Sequence, residues 1–302
     1  MPALQRLAYY FICLVWGSTW LAIRVLVERV PPLRAAAIRF LLAAVVLFVW
    51  ARIRKSKWPG EERHWNAILV LSFTMMCIPF GLVFWAEQYV TSSMTAILFS
   101  STPLLVALFT PLMLRRKIPR QAVFGMVIAF GGLLVLFYSG LPAHQKARLG
   151  GLAVLLAVGL SAWSLVYAKL RIQDVDAVVS TGLQLLIGSA GLFWATWALE
   201  SHQQSDWSNT AIFCLLFLAL IGSAAAFAAY YWLLKHIQPY EIATINLIVP
   251  IVAVLEGSLF KHESISFTMI IAMIIVLGSV TFVLRAEAEA AEQTPLFSRD
   301  TQ

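Results

Sequence analysis

A spacing of 147 residues recurs along this chain and limits what it can fold into. It takes Trp16 to Trp163, Trp50 to Trp197, Phe80 to Phe227, Trp85 to Trp232, Pro103 to Pro250 and Gly131 to Gly278. Three agreements at tryptophan are hard to ascribe to shared hydrophobicity, so the chain is read as a tandem repeat. The clearest copies are two hairpins, residues 84–105 (FWAEQYVTSSMTAILFSSTPLL) and residues 231–252 (YWLLKHIQPYEIATINLIVPIV). Each has an aromatic pair, a short polar turn, a carboxylate near the turn and a proline well inside the second apolar run.

Hydrophobic residues make up 61% of the 302 and charged residues only 12%, against about half and a quarter in soluble domains. The charges fall in short islands between apolar runs of roughly 20 residues, the length that crosses a bilayer. The expected fold is an all-α membrane protein with ten transmembrane helices, arranged as two inverted five-helix repeats. The spans are read at about 7–26, 33–51, 67–87, 93–114, 121–139, 150–168, 177–198, 211–233, 241–260 and 266–284. Residues 1–145 form the first repeat and 146–285 the second, and 286–302 is a polar tail expected to be disordered. The first run follows Arg6 as a signal peptide would, but it leads into Arg24, Glu28 and Arg29 without a cleavage site and has its own copy at Trp163. It is expected to stay in the mature protein.

Loop charges set the expected orientation. With the N-terminus cytoplasmic, the loops on that side hold Arg52, Arg54, Lys55, Lys57, Arg63, Arg115, Arg116, Lys117, Arg120, Lys169, Arg171 and Lys235, whereas the other side holds Arg29, Arg34, Lys146, Arg148 and Lys261. Both termini are then cytoplasmic, in a bacterial inner membrane. An odd number of spans per repeat makes the halves cross in opposite directions. The loops agree, because Arg52–Arg63 is basic while its counterpart, Leu199–Thr210, carries Glu200 and Asp206 and no Lys or Arg. Inverted repeats characterise secondary transporters, with a solute site near the midplane between the halves. The alternative is a duplication kept for packing alone. The net charge of +7 serves topology and implies no nucleic-acid partner. The partners expected are a small solute and the lipid bilayer, and no GxxxG pair within a span marks a dimer face.

Chemistry-bearing residues are sparse. All five histidines and all four aspartates fall at or beyond span ends, and no P-loop or Gly-rich phosphate cradle occurs. No metal site, cofactor or enzymatic centre is therefore expected. The charges within spans are Arg24, Arg39, Glu87 and Glu256, each costly in lipid, and their similar depth suggests an outer polar cluster, gate or receiver for an ionic solute group. Glu241 reads as a helix N-terminal carboxylate. Protons are the candidate coupling ion, through Glu87 or Glu256, since apolar surroundings favour a neutral carboxyl; uncoupled flux is the alternative.

The candidate solute-binding residues are Trp16, Ser18, Thr19, Arg39, Trp85, Glu87, Ser100, Trp163, Gln184, Tyr231, Trp232 and Asn246. Trp16 and Trp163 lie near mid-span, where an interfacial role fails and a cavity wall is a fair reading. Asn246 and Gln184 carry amides that are expensive to bury unpaired. Arg24, Glu256, Pro103 and Pro250 are candidate gate or coupling residues, the prolines because each removes a backbone hydrogen bond within a span.

With WGSTWLAIR at 16–24, IRF at 38–40, Pro103 before LLVALF, and PIVAVLEGSLFKHESIS at 250–266, the chain resembles the EamA-type branch of the drug/metabolite transporter superfamily over residues 5–285. The resemblance implies a helical bundle with a central cavity and export of amino acids, related metabolites or drugs. It departs from the family pattern at position 116, which is arginine where the second copy has Glu263, and at Glu256, where the family is normally neutral. Export of amino acids or related small metabolites by alternating access is the expected function. A multidrug or lipid-carrier flippase is the next reading, with a channel or membrane-embedded enzyme behind it.

Overall fold

The computed structural model describes residues 2–114, 120–140, 144–234, 236 and 245–293, and contains helices with no strand among these residues. The first half comprises α1 (Ala3–Val27), α2 (Pro32–Ile53), α3 (Glu62–Ala86), α4 (Ser92–Phe99), α5 (Thr102–Leu114) and α6 (Arg120–Gly140). The second comprises α7 (Gln145–Arg171), α8 (Ala177–Leu199), α9 (209–234), α10 (Ile245–Lys261) and α11 (Phe267–Gln293). Among the described residues nine helical stretches are long and apolar enough to cross a bilayer, so this is a multi-pass membrane protein. The ninth expected span corresponds to α10, of which 17 residues are described; its start, Glu241 included, lies outside the described residues, as do Arg116 and residues 294–302.

Two expected spans are not plain α-helix. A π-helical stretch interrupts α3 at Ser72–Cys77 and α9 at Phe217–Ala225, and the first, moved by 147 residues, falls inside the second. In α3 the cause is at hand: Pro79 cannot donate to the carbonyl four residues back and its ring crowds it, and a widened turn relieves both. In α9 the Ser223 hydroxyl donates to the Leu218 carbonyl five residues back, at 3.0 Å.

The expected fourth span breaks at Ser100 and Ser101 into α4 and α5. Pro103 has no N–H for the Phe99 carbonyl, and the Thr102 hydroxyl donates there instead at 2.6 Å. Ser101 and Ser100 do the same for Leu98 (2.6 Å) and Ile97 (2.7 Å). Three successive hydroxyls thus serve carbonyls at the break, Leu98 in addition to the Ser101 backbone N–H it already accepts at 3.2 Å.

The halves interlock rather than sit side by side. Helices related by the 147-residue offset pack on each other, α2 on α8 and α6 on α11. Other contacts come in matched sets. The last segment of α9 lies on α1 as that of α3 lies on α7, and α10 lies on α1 as α4 and α5 lie on α7. Apolar core accordingly forms around α2 with α8 and around α6 with α11, while Phe124, Val127 and Ile274 stay exposed. At the α1–α10 crossing a Cβ on Gly17 would lie 2.4 Å from Val252 Cβ, so only glycine permits this approach.

Candidate functional site

Between the halves lies a cavity of about 220 Å³. Each wall is one helical face, with residues spaced by three and four. From α1 come Trp16, Thr19, Trp20 and Ile23; from α3, Pro79, Phe80 and Val83; from α4, Ala96 and Phe99, followed by Ser100. Arg39 enters from α2, Gly222 and Phe227 from α9, and Asn246, Val249 and Pro250 from α10. Of the candidates named from sequence, Trp16, Thr19, Arg39, Ser100, Asn246 and Pro250 meet here. Pro250 has no N–H for the Asn246 carbonyl, which frees that oxygen.

The walls are aromatic. Trp16 meets the Tyr230 ring at 5.3 Å and the Phe227 ring at 6.1 Å, and Trp20 meets Phe99 at 5.2 Å. Phe80 and Phe227 are repeat mates, each just past a π-helical stretch. The hydroxyls of Thr19 and Ser100 donate to the carbonyls of Trp16 and Ile97, both at 2.7 Å, so only their lone pairs remain for a solute. Trp20, Phe80, Phe99 and Phe227 are absent from the expected binding set. The i+4 spacing from Trp16 is the signal that reaches Trp20.

Arg39 is 5% exposed. Its Nε donates to the Ser223 hydroxyl at 3.2 Å, its guanidinium carbon lies 5.5–5.8 Å from the rings of Phe40, Phe80 and Phe84, and its Nη1 meets no acceptor among the described residues. The Trp20 indole N–H is likewise buried without an acceptor. Cation–π attraction holds the guanidinium charge, but rings do not replace the hydrogen bonds that buried N–H groups require.

The four intramembrane charges do not pair with one another. Arg24 donates to the Glu87 backbone carbonyl and lies 3.7 Å from Glu28. Glu87 is fully buried, and neither carboxylate oxygen has a hydrogen-bond partner among the described residues. Glu256 accepts from the Ser18 hydroxyl at 2.7 Å, one residue before cavity-lining Thr19. The other candidates lie off the cavity. Trp85 packs edge-on to Tyr89 (5.3 Å), Trp163 stacks on Tyr167 (4.9 Å), Trp232 stacks on His236 (4.3 Å), and Gln184 donates to Ser180 at 2.9 Å. Pro103 sits at the α4–α5 break, and the Tyr231 side chain lies outside the described residues.

Beyond the C-terminal end of α1 the two halves are tied together. Glu200 accepts from the backbone N–H groups of Leu33 (2.8 Å) and Arg34 (3.0 Å), Arg29 pairs with Asp206 (2.8 Å), and Lys261 with Glu28 (2.7 Å). Glu263 accepts from the N–H groups of Ser92 (2.9 Å) and Ser93 (3.1 Å) and from both hydroxyls. A carboxylate at a helix N-terminus satisfies orphan donors and meets the positive end of the dipole. Here the carboxylate comes from the other half, 171 residues away for Ser92, which no local sequence pattern encodes. At the opposite end of the bundle Glu61, His64 and Asp174 offer ligand atoms within 4.8 Å of one another. Arg63 already sits on both of those carboxylates and holds the place a cation would take.

The model of the EamA-like transporter family matches this chain twice, over residues 7–138 and 148–285. Similar proteins include the uncharacterized transporter YoaV of Bacillus subtilis strain 168, 27% identical over 88% of this chain and 91% of its own. Protein PagO of Salmonella typhimurium is 27% identical over 89% and 90%. The uncharacterized inner membrane transporter YedA of Escherichia coli K12 is 27% identical over 91% and 89%. A crystal structure at 18% identity superposes with a TM-score of 0.62 over 94% of this chain and 98% of that one, a likeness of fold.

Proposed function

We propose, because this chain belongs to the EamA-like transporter family, that it is a secondary transporter exporting amino acids or related small metabolites across a bacterial inner membrane by alternating access. In this reading ten helices form two inverted repeats, 1–145 and 146–285, with both termini cytoplasmic. The observation that carries it is the cavity, which is walled by α1 to α4 of one half and α9 and α10 of the other. Two interlocked halves that rock about such a cavity expose it to each side in turn. Matched contacts at a 147-residue offset support the repeat, the loop charges support the orientation, and the naming of YedA as an inner membrane transporter supports the location. At about 220 Å³ the cavity falls below the roughly 300–1,000 Å³ of drug-sized sites, which favours a small metabolite over a drug or lipid carrier.

Counterflow in proteoliposomes tests this, with labelled aromatic, aliphatic, charged and sulfur-containing amino acids and the acids and amines derived from them. Saturable, trans-stimulated exchange is the expected result, and linear flux without trans-stimulation would mean a channel. Glu256, bonded to Ser18 beside the cavity wall, is assigned the coupling proton. Glu256→Gln is therefore expected to keep counterflow while accumulation driven by a pH gradient falls to the level seen without one. An unchanged pH response in the variant removes Glu256 from coupling.

A further inference from the structure

We propose that the preferred solute is a monoanionic carboxylate with an apolar, ring-bearing body and no ammonium group, and that Arg39 and the Trp20 indole N–H receive its carboxylate. This rests on the transporter reading above and narrows it.

The cavity holds hydrogen-bond donors without acceptors among the described residues. A guanidinium carries five N–H bonds, and the described chain accepts only the one on Nε, through Ser223. Arg39 Nη1 and Trp20 Nε1 are buried, unaccepted, and belong to residues of the same cavity. Leaving such donors unmade is costly in an apolar setting, so the solute is what brings the acceptor. A carboxylate matches the guanidinium fork, and an oxygen beyond the fork suits an indole donor.

Charge count sets the rest. Among the described residues lining the cavity Arg39 is the only one that ionises near neutral pH, which suits one negative charge and not a phosphate dianion. An ammonium group would have only the neutral oxygens of Thr19, Ser100 and Asn246 to meet. Glu87, near enough to feel the Arg39 charge, neither lines the cavity nor hydrogen-bonds to Arg39. Trp16, Phe80, Phe99 and Phe227 then supply flat apolar walls for a ring.

Three solutes sharing one phenylethyl body separate the possibilities: hydrocinnamate (carboxylate only), phenylalanine (both charges) and phenethylamine (ammonium only). Binding to the purified full-length protein is measured by calorimetry, and exchange by counterflow in proteoliposomes with empty vesicles subtracted. Hydrocinnamate is expected to bind about 10- to 100-fold more tightly than phenylalanine, because both bring the carboxylate and only phenylalanine also buries an ammonium group without a charged partner, and phenethylamine not at all. Arg39→Gln abolishes the preference. Trp20→Phe, which keeps a ring and removes only the N–H, weakens hydrocinnamate about 2- to 10-fold and leaves phenethylamine unmoved; it carries the test if Arg39→Gln does not fold, and unchanged hydrocinnamate binding in it overturns the assignment of the indole. Phenylalanine binding as well as hydrocinnamate, with trans-stimulated exchange, overturns this proposal and leaves the transporter standing. Failure of all three to bind overturns the ring-bearing anion. Linear flux of every solute overturns the transporter reading itself, and this one with it.

Discussion

Glu263→Ala is expected to lower the stability of the folded protein by about 2–4 kcal/mol and its melting temperature in detergent with it. The carboxylate accepts from two backbone N–H groups and two hydroxyls at the start of α4. Ser92 and Ser93 are buried, so alanine leaves donors that water reaches poorly. Glu263 itself is half-buried, and water entering from its side keeps the loss below the sum of its bonds. Glutamine, with one acceptor oxygen, should fall between. A second substitution checks the cause: a Cβ on Gly257 would lie 2.5 Å from Glu263 Oε2 and 2.6 Å from Ser93 Oγ, so Gly257→Ala damages the same cap. The double variant should therefore lose less than the two single losses added. An unchanged melt for Glu263→Ala would show that the cap contributes nothing, and additive losses that Gly257→Ala acts elsewhere.

Gly17→Ala should cost about 1–3 kcal/mol, a large effect for one methyl group. The new Cβ would meet Val252 Cβ and Cγ1 at 2.4 Å and the Val249 carbonyl at 3.2 Å. Val252 Cγ1 can turn away from such a clash, but Val252 Cβ and the Val249 carbonyl are fixed by the α10 backbone. The helices must separate, and Val249, Pro250 and Trp16 carry that separation into the cavity wall. Weaker solute binding should accompany the loss of stability. Val252→Gly, which removes Cβ and Cγ1 together, should make Gly17→Ala cost less than it does beside valine, whereas an equal loss in the presence and absence of Val252→Gly would exclude this contact as the cause.

Much of the fold is legible in the sequence because its signals are local or periodic. Apolar run lengths place the spans, and the 147-residue offset relates α2 to α8 and α6 to α11, but that these mates pack on each other is seen only in the fold. The site is less legible, for reasons particular residues make plain. Trp16 and Trp163 are equivalent by the repeat, yet only Trp16 lines the cavity, since Trp163 is stacked on Tyr167. Arg24 and Glu87 suggest an ion pair by depth, but Arg24 reaches the Glu87 carbonyl instead, a choice fixed by how α1 ends. The unpaired donors of Arg39 and Trp20 depend on which carbonyls other helices present, and no spacing reports an absence. Glu263 looks like an ordinary loop acid until α4 arrives beside it.

The exchange of partners between halves bears on how the chain is made. On the first-half side α6 touches little but α5; its covered face belongs to α11, as much of that of α2 belongs to α8. A ribosome adds about 5–20 residues per second, so the first half waits roughly 8–30 seconds in the bilayer before its complement is complete. During that interval its interhelical faces are covered by lipid or by whatever insertion machinery holds them. Neither half covers its own interhelical faces, and it is α11, at the far end of the second half, that covers α6 of the first.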